Sequence, residues 1–567
     1  MNSKQRIRAR FILIIVALIG VALVANLYSI QIKNGDTYAA KADKQYTRPS
    51  SSLFDRGSIY FEARDGTRVS AGSVANGYTL YLNTILLADA ESAYQAMSNY
   101  VKVDKSFFLE KAGKENDPYE ELIKKLDTNT AQSIRQLDIA GLGVIKENWR
   151  TYPGDTLSAN VLGIIGENKD GKLVGKYGLE RYYDDVLSRK GILGSSDIFA
   201  ELFSGLTGDT DEKSGNIIAS IEPSVESYVE KVLVKIESDW KSDEIGAIVM
   251  DPHTGDIIAM SSYPTFDPNN VSKIEDIGVL SNPLVEHVYE MGSIMKPLTM
   301  AIGLDTGKIT STSKYDDTGT LTLDGKKISN YDGKARGIVP VQEILNQSLN
   351  IGATYVALKV GSEDFVKYFK SFKFDNKTGV DLPNEANQIL GNVVKGRDIE
   401  LATASYGQGI ALSPIGMVTA LSTLANGGYY VKPRLVKEID KMDGTVEIIP
   451  TEKSGQLFSK QTTDEVTKML VNVVDVALRK GEIKMEKYSI AAKTGTAQIP
   501  DPVNGGYYKD RYLHSFFGYF PAYDPKFIVF LYHLYPKGAQ YASDTLTKPF
   551  AEITQYLINY YNIPPDR

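Results

Sequence analysis

The sequence predicts an α+β catalytic domain behind a mixed N-terminal region and a membrane anchor, on three observations. Strand-like segments stand early and late in residues 216–567, with helix-rich sequence between them. Residues 33–215 lack that layout and read as short strands, turns and helices. Residues 11–25 form an unbroken apolar run behind a basic tail.

Composition narrows the functional classes. A chain of 567 residues is long enough for two or three domains with real cores, and 43% hydrophobic with 23% charged residues reads as globular. The net charge is −7, with no basic block beyond the N-terminus, which excludes nucleic acid as a partner. The sequence has no cysteine, so disulfides, Cys-ligated zinc, iron–sulfur clusters and cysteine nucleophiles are excluded. The four histidines, His253, His287, His514 and His533, are scattered without ligand spacing. They read as structural histidines, and no metal or cofactor is expected.

In chain order, residues 1–10 carry Lys4, Arg6, Arg8 and Arg10 and no acidic residue. Counted from 11 to about 30, the apolar span reaches the roughly 20 residues a bilayer requires. A signal-peptide cut would have to follow Leu23-Val24-Ala25, which fits the small-x-small rule badly. Residues 11–32 are therefore expected to be an uncleaved single-pass anchor in the plasma membrane. The tail 1–10 lies in the cytoplasm and the bulk of the chain outside. Residues 33–215 open with turn-rich strands around Asp55-Arg56-Gly57-Ser58-Ile59 and Arg64-Asp65-Gly66. Helices are expected over Leu86 to Met97, Pro118 to Leu126 and Asn129 to Leu137. Gly205 to Gly215 reads as a linker.

From residue 216 the character changes. Ile217 to Ile221 reads as a strand, and Pro223 opens a helix reaching about Lys241. Gly246 to Met250 and Ile257 to Met260 read as a strand pair joined by a turn. Helices are expected at about 293–306, 340–372 and 398–426, then strands at Tyr488 to Lys493, Leu513 to Phe520 and Phe527 to Leu534. A final helix spans about Pro549 to Tyr561. Early and late strands pair only if the chain closes on itself, so 216–567 is expected to be one domain.

Three short patterns in this domain carry chemistry. The first is Ser293-x-x-Lys296. Residues three apart share a helix face, so the serine hydroxyl and the lysine amine can meet, and a lysine of lowered pKa can deprotonate a serine. The second is Ser348-Leu349-Asn350: a second serine can relay a proton, and an asparagine can hold a substrate amide through donor and acceptor. The third is Lys493-Thr494-Gly495-Thr496. Here a lysine at a strand end can depress the first lysine and attract a carboxylate, and glycine lets chains approach closely. Each pattern has decoys. Ser238-x-x-Lys241 and Ser311-x-x-Lys314 repeat the first. Ser158-Ala159-Asn160 repeats the second, ahead of any nucleophile. Lys377-Thr378-Gly379 repeats the third, in a turn-rich loop. Lys493 instead follows the strand-like Tyr488-Ser489-Ile490-Ala491-Ala492. With Leu513 to Tyr519 this can form a hairpin edge for a peptide substrate.

This trio resembles the motif set of penicillin-binding proteins and β-lactamases. The chain as a whole resembles class B penicillin-binding proteins, the monofunctional peptidoglycan D,D-transpeptidases. Further matches are Arg56-Gly57-Ser58-Ile59, Arg150-Thr151-Tyr152-Pro153, Gly175-Lys176-Tyr177-Gly178-Leu179-Glu180 and Asp251-Pro252-His253-Thr254-Gly255-Asp256. Lys377-Thr378-Gly379 falls in the family's Thr-Gly-x-Asp-Leu-Pro loop. Two departures are Met291, where proline is usual before Gly292, and Leu349 between Ser348 and Asn350.

The resemblance implies a transpeptidase fold, an antiparallel sheet with helices on both faces and a helical subdomain, over 216–567. It implies an elongated pedestal or dimerisation domain over 33–215. It also implies a serine-type acyltransferase acting on the D-Ala-D-Ala end of peptidoglycan stem peptides, through an acyl-enzyme on Ser293 with Lys296 as base and Ser348 as proton relay. Asn350 would orient the donor, and Lys493, Thr494, Gly495 and Thr496 would bind its carboxylate. β-Lactams would acylate Ser293. An integral-membrane glycan polymerase and other cell-wall machinery are the implied partners, in septal rather than side-wall synthesis. A D,D-carboxypeptidase and a non-catalytic penicillin receptor are the alternatives.

Overall fold

Strand-forming segments from both ends of the catalytic stretch meet in one antiparallel sheet. The computed structural model describes residues 55–189, 214–391 and 393–567, together with Gly20. The expected anchor, residues 11–32, otherwise lies outside these, as does most of the 205–215 linker. Among the described residues no helix is long and apolar enough to cross a membrane.

The described chain divides into two compact units, residues 75–149 and Arg56–Val74 with Arg150–Arg567. The smaller has its own core of Leu80, Leu82, Met97, Phe108, Leu122, Leu126 and Ile134. Its helices are Ala90–Met97, Lys105–Ala112 and Thr128–Gln136. The first begins where the Asp89 carboxylate accepts the N–H groups of Glu91 and Ser92, four residues later than the apolar pattern suggests. The expected helix over Pro118 to Leu126 is instead a strand, Glu120–Leu126. It pairs antiparallel with the C-terminal part of Arg68–Leu82. Leu122 and Leu126 stand four apart, a spacing that serves one helix face and one strand face equally, and the partner strand decides between them.

The larger unit takes in Arg56–Val74 and residues 150–189. A buried ion cluster holds this part together. Glu180 is fully buried and accepts Arg56 Nε and Arg150 Nε, each at 2.6 Å, and the Tyr152 hydroxyl at 3.2 Å. Arg56 also donates to the Glu180 carbonyl at 2.7 Å and pairs with Asp184 at 2.8 Å. Removing the central carboxylate takes it from the buried Arg150 guanidinium and leaves Arg56 with Asp184 alone. Glu180→Ala is therefore expected to cost about 3–5 kcal/mol, read as a lowered urea midpoint. A change within 0.5 kcal/mol would contradict this account of the cluster.

The catalytic sheet has five strands in the order Ala491–Pro500, Tyr507–Phe520, Phe527–Leu534, Glu244–Met250 and Ile257–Tyr263, every neighbour antiparallel. The first three come late in the chain and the last two early, so the closure read from the sequence is observed. Its two faces follow from strand alternation. Phe516 stacks on Phe550 of the final helix, Thr547–Tyr561, with ring centroids 4.5 Å apart. Tyr519, of opposite parity, meets Thr467 of Lys460–Asn472 at 2.8 Å.

Helix Pro223–Trp240 has proline in its first turn, as expected, and the Glu222 carboxylate as cap on the Val225 N–H. It buries Val225, Val229, Val232, Leu233 and Ile236, a 3.6-period stripe worth about 1.5–3 kcal/mol per side chain. Two other helices have no amphipathic stripe because they are enclosed. Pro414–Ala425 is buried at every position, and Lys296–Asp305 at all but its last two. Lys296 emerges from the start of the second.

Candidate active site

Ser293 lies in a single 3-10 turn, Gly292–Met295, that runs directly into helix Lys296–Asp305. Three contacts fix this turn. Gly292 N–H donates to the Gly407 carbonyl at 3.1 Å. Ser515 Oγ donates to the Met291 carbonyl at 2.8 Å. Tyr289 exchanges both backbone bonds with Leu412, each 2.9 Å. Gly292 has φ +64°, and a Cβ there would sit 2.8 Å from the Thr496 carbonyl, so glycine is required on two counts. Met291, the departure from the family pattern, is 1% exposed and fills core space ahead of the turn. The competing Ser238, Lys241, Ser311 and Lys314 are all exposed.

Lys296 is 0% exposed, and its ammonium end is surrounded by oxygen. Nζ lies 2.8 Å from Ser293 Oγ, 2.7 Å from the Ser348 carbonyl, 3.2 Å from Ser348 Oγ and 2.8 Å from Asn350 Oδ1. A neutral amine has two donors and one lone pair. Donating to the Ser348 carbonyl and to Asn350 leaves the lone pair for the Ser293 hydroxyl. Burial first, and the charge of Lys493 second, hold Lys296 well below the usual lysine range. The arrangement can thus take a proton from Ser293.

Ser348 stands in the left-handed region, φ +55°, just before helix Asn350–Val360. The intervening Leu349 is 0% exposed and belongs to the core, so its identity answers to packing and not to chemistry. Asn350 differs in posture from the sequence reading. Its Oδ1 faces Lys296, and its amide nitrogen donates to the Ser329 carbonyl at 2.9 Å. It holds the lysine with one end and the Ser329 carbonyl with the other.

Lys493 is not at a strand end. The strand runs on to Pro500, because Lys493, Thr494, Gly495 and Thr496 all find partners in Tyr507–Phe520. This is the edge strand of the sheet, as the hairpin reading expects. Lys493 Nζ reaches Ser348 Oγ at 3.1 Å and the Thr494 carbonyl at 3.0 Å. Ser348 Oγ therefore lies within reach of both lysines. A Cβ on Gly495 would fall 2.3 Å from Ser515 Oγ and 2.7 Å from the Met291 carbonyl, so glycine lets the strand lie against the nucleophile turn. Burial pushes Lys493 down to about 7.

A pH profile follows from these two lysines. The second-order rate of acylation by a carboxylate-bearing β-lactam reports the free enzyme. It is expected to rise as Lys296 loses its proton and to fall above about 7 as Lys493 loses its charge, the two limbs belonging to the coupled pair. A rate that climbs without an alkaline limb would contradict the assignment of Lys493.

The remaining decoys have structural partners. Asn160 donates to the Val279 and Ser281 carbonyls, each at 2.8 Å. Thr378 and Gly379 are held by the Glu385 carboxylate at 2.6–3.0 Å. Among the described residues no group of three or more His, Asp or Glu could hold a metal ion. Ser515 and Ala542, whose N–H donates to Thr496 Oγ1 at 3.1 Å, are parts of the site that sequence reading misses. Each is a single common residue, brought in by long-range contact without a local pattern.

Comparison with known proteins agrees with this geometry. The penicillin binding protein transpeptidase domain family matches residues 245–555, and the penicillin-binding protein dimerisation domain family matches residues 52–196. Stage V sporulation protein D of Bacillus subtilis is 29% identical over 567 residues, covering 97% of this chain and 84% of that protein. Peptidoglycan D,D-transpeptidase FtsI of Escherichia coli K12 is 24% identical over 448 residues, covering 78% and 73%. The crystal structure of penicillin binding protein 2X from Streptococcus thermophilus superposes with a TM-score of 0.73 at 21% identity, covering 90% of this chain and 80% of that one. Penicillin binding protein 3 of Mycobacterium tuberculosis, complexed with aztreonam, superposes with a TM-score of 0.68 at 22% identity, covering 90% and 97%.

Proposed function

The chain belongs to the penicillin-binding protein transpeptidase family, and from that premise we propose that it is a peptidoglycan D,D-transpeptidase cross-linking stem peptides through an acyl-enzyme on Ser293. The observation that carries the reading is the 2.8 Å approach of Ser293 Oγ to a fully buried Lys296, with Ser348 Oγ 3.2 Å and 3.1 Å from the two lysines. Lys296, neutral at working pH, takes the Ser293 proton as Oγ attacks the penultimate D-alanine carbonyl of a stem peptide. The Ser293 and Thr496 backbone N–H groups receive the oxyanion, a contribution of a few kcal/mol. The C–N bond to the terminal D-alanine then breaks. Its amine leaves with a proton passed from Lys296 through Ser348. Lys493, Thr494 and Thr496 bind the departing residue's carboxylate, with Gly495 allowing its approach, and Asn350 orients the donor amide. An amine of a second stem peptide attacks the ester, and Ser293 recovers its proton. β-Lactams acylate the same serine.

In this reading residues 33–215 are the pedestal and 216–567 the transpeptidase domain. Residues 11–32 anchor the chain in the plasma membrane, with residues 1–10 in the cytoplasm and the bulk outside. Glycan polymerisation comes from an integral-membrane partner. The role in this reading is septal synthesis. The test supplies pentapeptide-bearing glycan and separates the products by mass. Cross-linked dimers with release of D-alanine support the reading. Trimmed tetrapeptides without dimers assign water as acceptor and a carboxypeptidase, and unchanged pentapeptide overturns the activity.

A further inference from the structure

The Thr496 hydroxyl is held from behind. Its Oγ1 accepts the Ala542 N–H at 3.1 Å, which leaves its own O–H to donate elsewhere. Ala542 opens a single helical turn, Ala542–Thr545, and the other end of that turn is pinned to the back of the sheet. Thr545 Oγ1 lies 2.9 Å from His514 Nδ1 and 2.8 Å from His533 Nε2. His533 Nδ1 meets Ser242 Oγ at 2.8 Å. The two imidazoles oppose each other on paired strands, their centroids 5.1 Å apart, and His514 is the cross-strand partner of Thr496 itself.

Hydrogens can run along these contacts in either direction: Ser242 donates to His533 Nδ1, His533 Nε2–H to Thr545 and Thr545 to His514 Nδ1, or the reverse, so what the contacts fix is the line itself. Either direction needs both rings neutral. Burial holds them so, His514 down to about 4 and His533 well below its usual range. Thr545 Oγ1 bonds both rings, and the residue is 2% exposed. A hydroxyl fixed by two rigid aromatic rings has almost no freedom, and the turn it belongs to carries the Ala542 N–H.

We propose that Thr545, clamped between His514 and His533, is a positioning residue for carboxylate recognition: it fixes the Ala542 amide against Thr496 and so directs the Thr496 hydroxyl at the substrate's terminal carboxylate. The inference rests on the reading that Thr496 binds that carboxylate. A merely structural role for Thr545 would weaken reaction with every acylating agent alike. A positioning role weakens reaction only with those that carry the carboxylate.

The experiment compares acylation rates of the full chain by benzylpenicillin and by its methyl ester, which lacks the charge. In Thr545→Val the benzylpenicillin rate is expected to fall about tenfold or more, the loss of a hydrogen bond to a charged group, while the ester rate changes less than twofold. Thr545→Ser, which keeps the hydroxyl, restores the difference between the two reagents, and Thr496→Val reproduces the selective loss. Should Thr545→Val fail to fold, Thr545→Ala, which removes the hydroxyl without adding bulk, makes the same comparison. Equal losses on both reagents, or none on either, overturn the proposal. A selective loss in Thr496→Val with none in Thr545→Val overturns it while leaving the Thr496 reading intact. No selective loss in Thr496→Val overturns that reading and the proposal together.

Discussion

Ser293→Ala is expected to abolish covalent labelling by a fluorescent penicillin and to reduce cross-link formation to background, in a protein that remains folded. The fold should survive because the Ser293 side chain is peripheral to the packing. It makes one side-chain hydrogen bond, to Lys296 Nζ at 2.8 Å, and an ordinary hydrogen bond contributes about 0.5–1.5 kcal/mol. The turn that carries it is held by Gly292, Met291 and Tyr289 through backbone contacts that alanine leaves in place. The chemistry should not survive. Ser348 lies between the two lysines, 3.2 Å and 3.1 Å from their Nζ atoms, and in this reading is the proton relay and not the attacking group. The check is gel fluorescence after saturating exposure, with thermal unfolding run alongside. Persistent labelling in a folded variant would place the nucleophile elsewhere.

The second large effect concerns the base. Lys296→Met is expected to lower the acylation rate by about 10²–10⁴, the range general-base catalysis supplies. Methionine is of similar length and matches the buried aliphatic stem, though not the oxygen-lined end. It removes the lone pair that faces Ser293 and leaves the Ser348 carbonyl and Asn350 Oδ1 without their donor. Lys296→Arg separates charge from basicity. Arginine keeps the cation but cannot surrender its proton at any working pH. A comparable loss in both variants, measured by stopped-flow acylation, assigns the effect to proton transfer. Near-normal acylation in Lys296→Arg would show that Lys296 acts only as a charge.

Much of the fold was legible because its signals are local. Pro223 opening a helix, the valine and isoleucine runs at Gly246–Met250 and Phe527–Leu534, and the final helix all announce themselves within ten or so residues. Glu120–Leu126 was misread because Leu122 and Leu126 suit either periodicity and only the strand Arg68–Leu82 decides between them. The Ala491–Pro500 strand was read short for the same reason: Lys493 and Gly495 interrupt the strand signal, and the partner strand carries the pairing through them.

The site was legible as three motifs because spacing records which residues meet within one turn. The structure brings Ser293, Lys296, Ser348, Asn350 and Lys493 into one hydrogen-bonded group. The contacts that aim them were not legible. Asn350 turning its oxygen to Lys296, Ser515 reaching Met291, and the line from Ser242 through His533, Thr545 and His514 toward Thr496 join residues tens to hundreds of positions apart. A scattered pair of histidines gives no sign in sequence of meeting edge-on across two strands.

The central claim is a covalent acyl-enzyme on Ser293, and mass spectrometry of the benzylpenicillin-treated chain tests it most directly. One adduct of the antibiotic's mass, carried after digestion by the peptide spanning Gly292 to Lys296 and fragmenting at Ser293, is the expected result. An unmodified chain, or an adduct residing on any other residue, would contradict it.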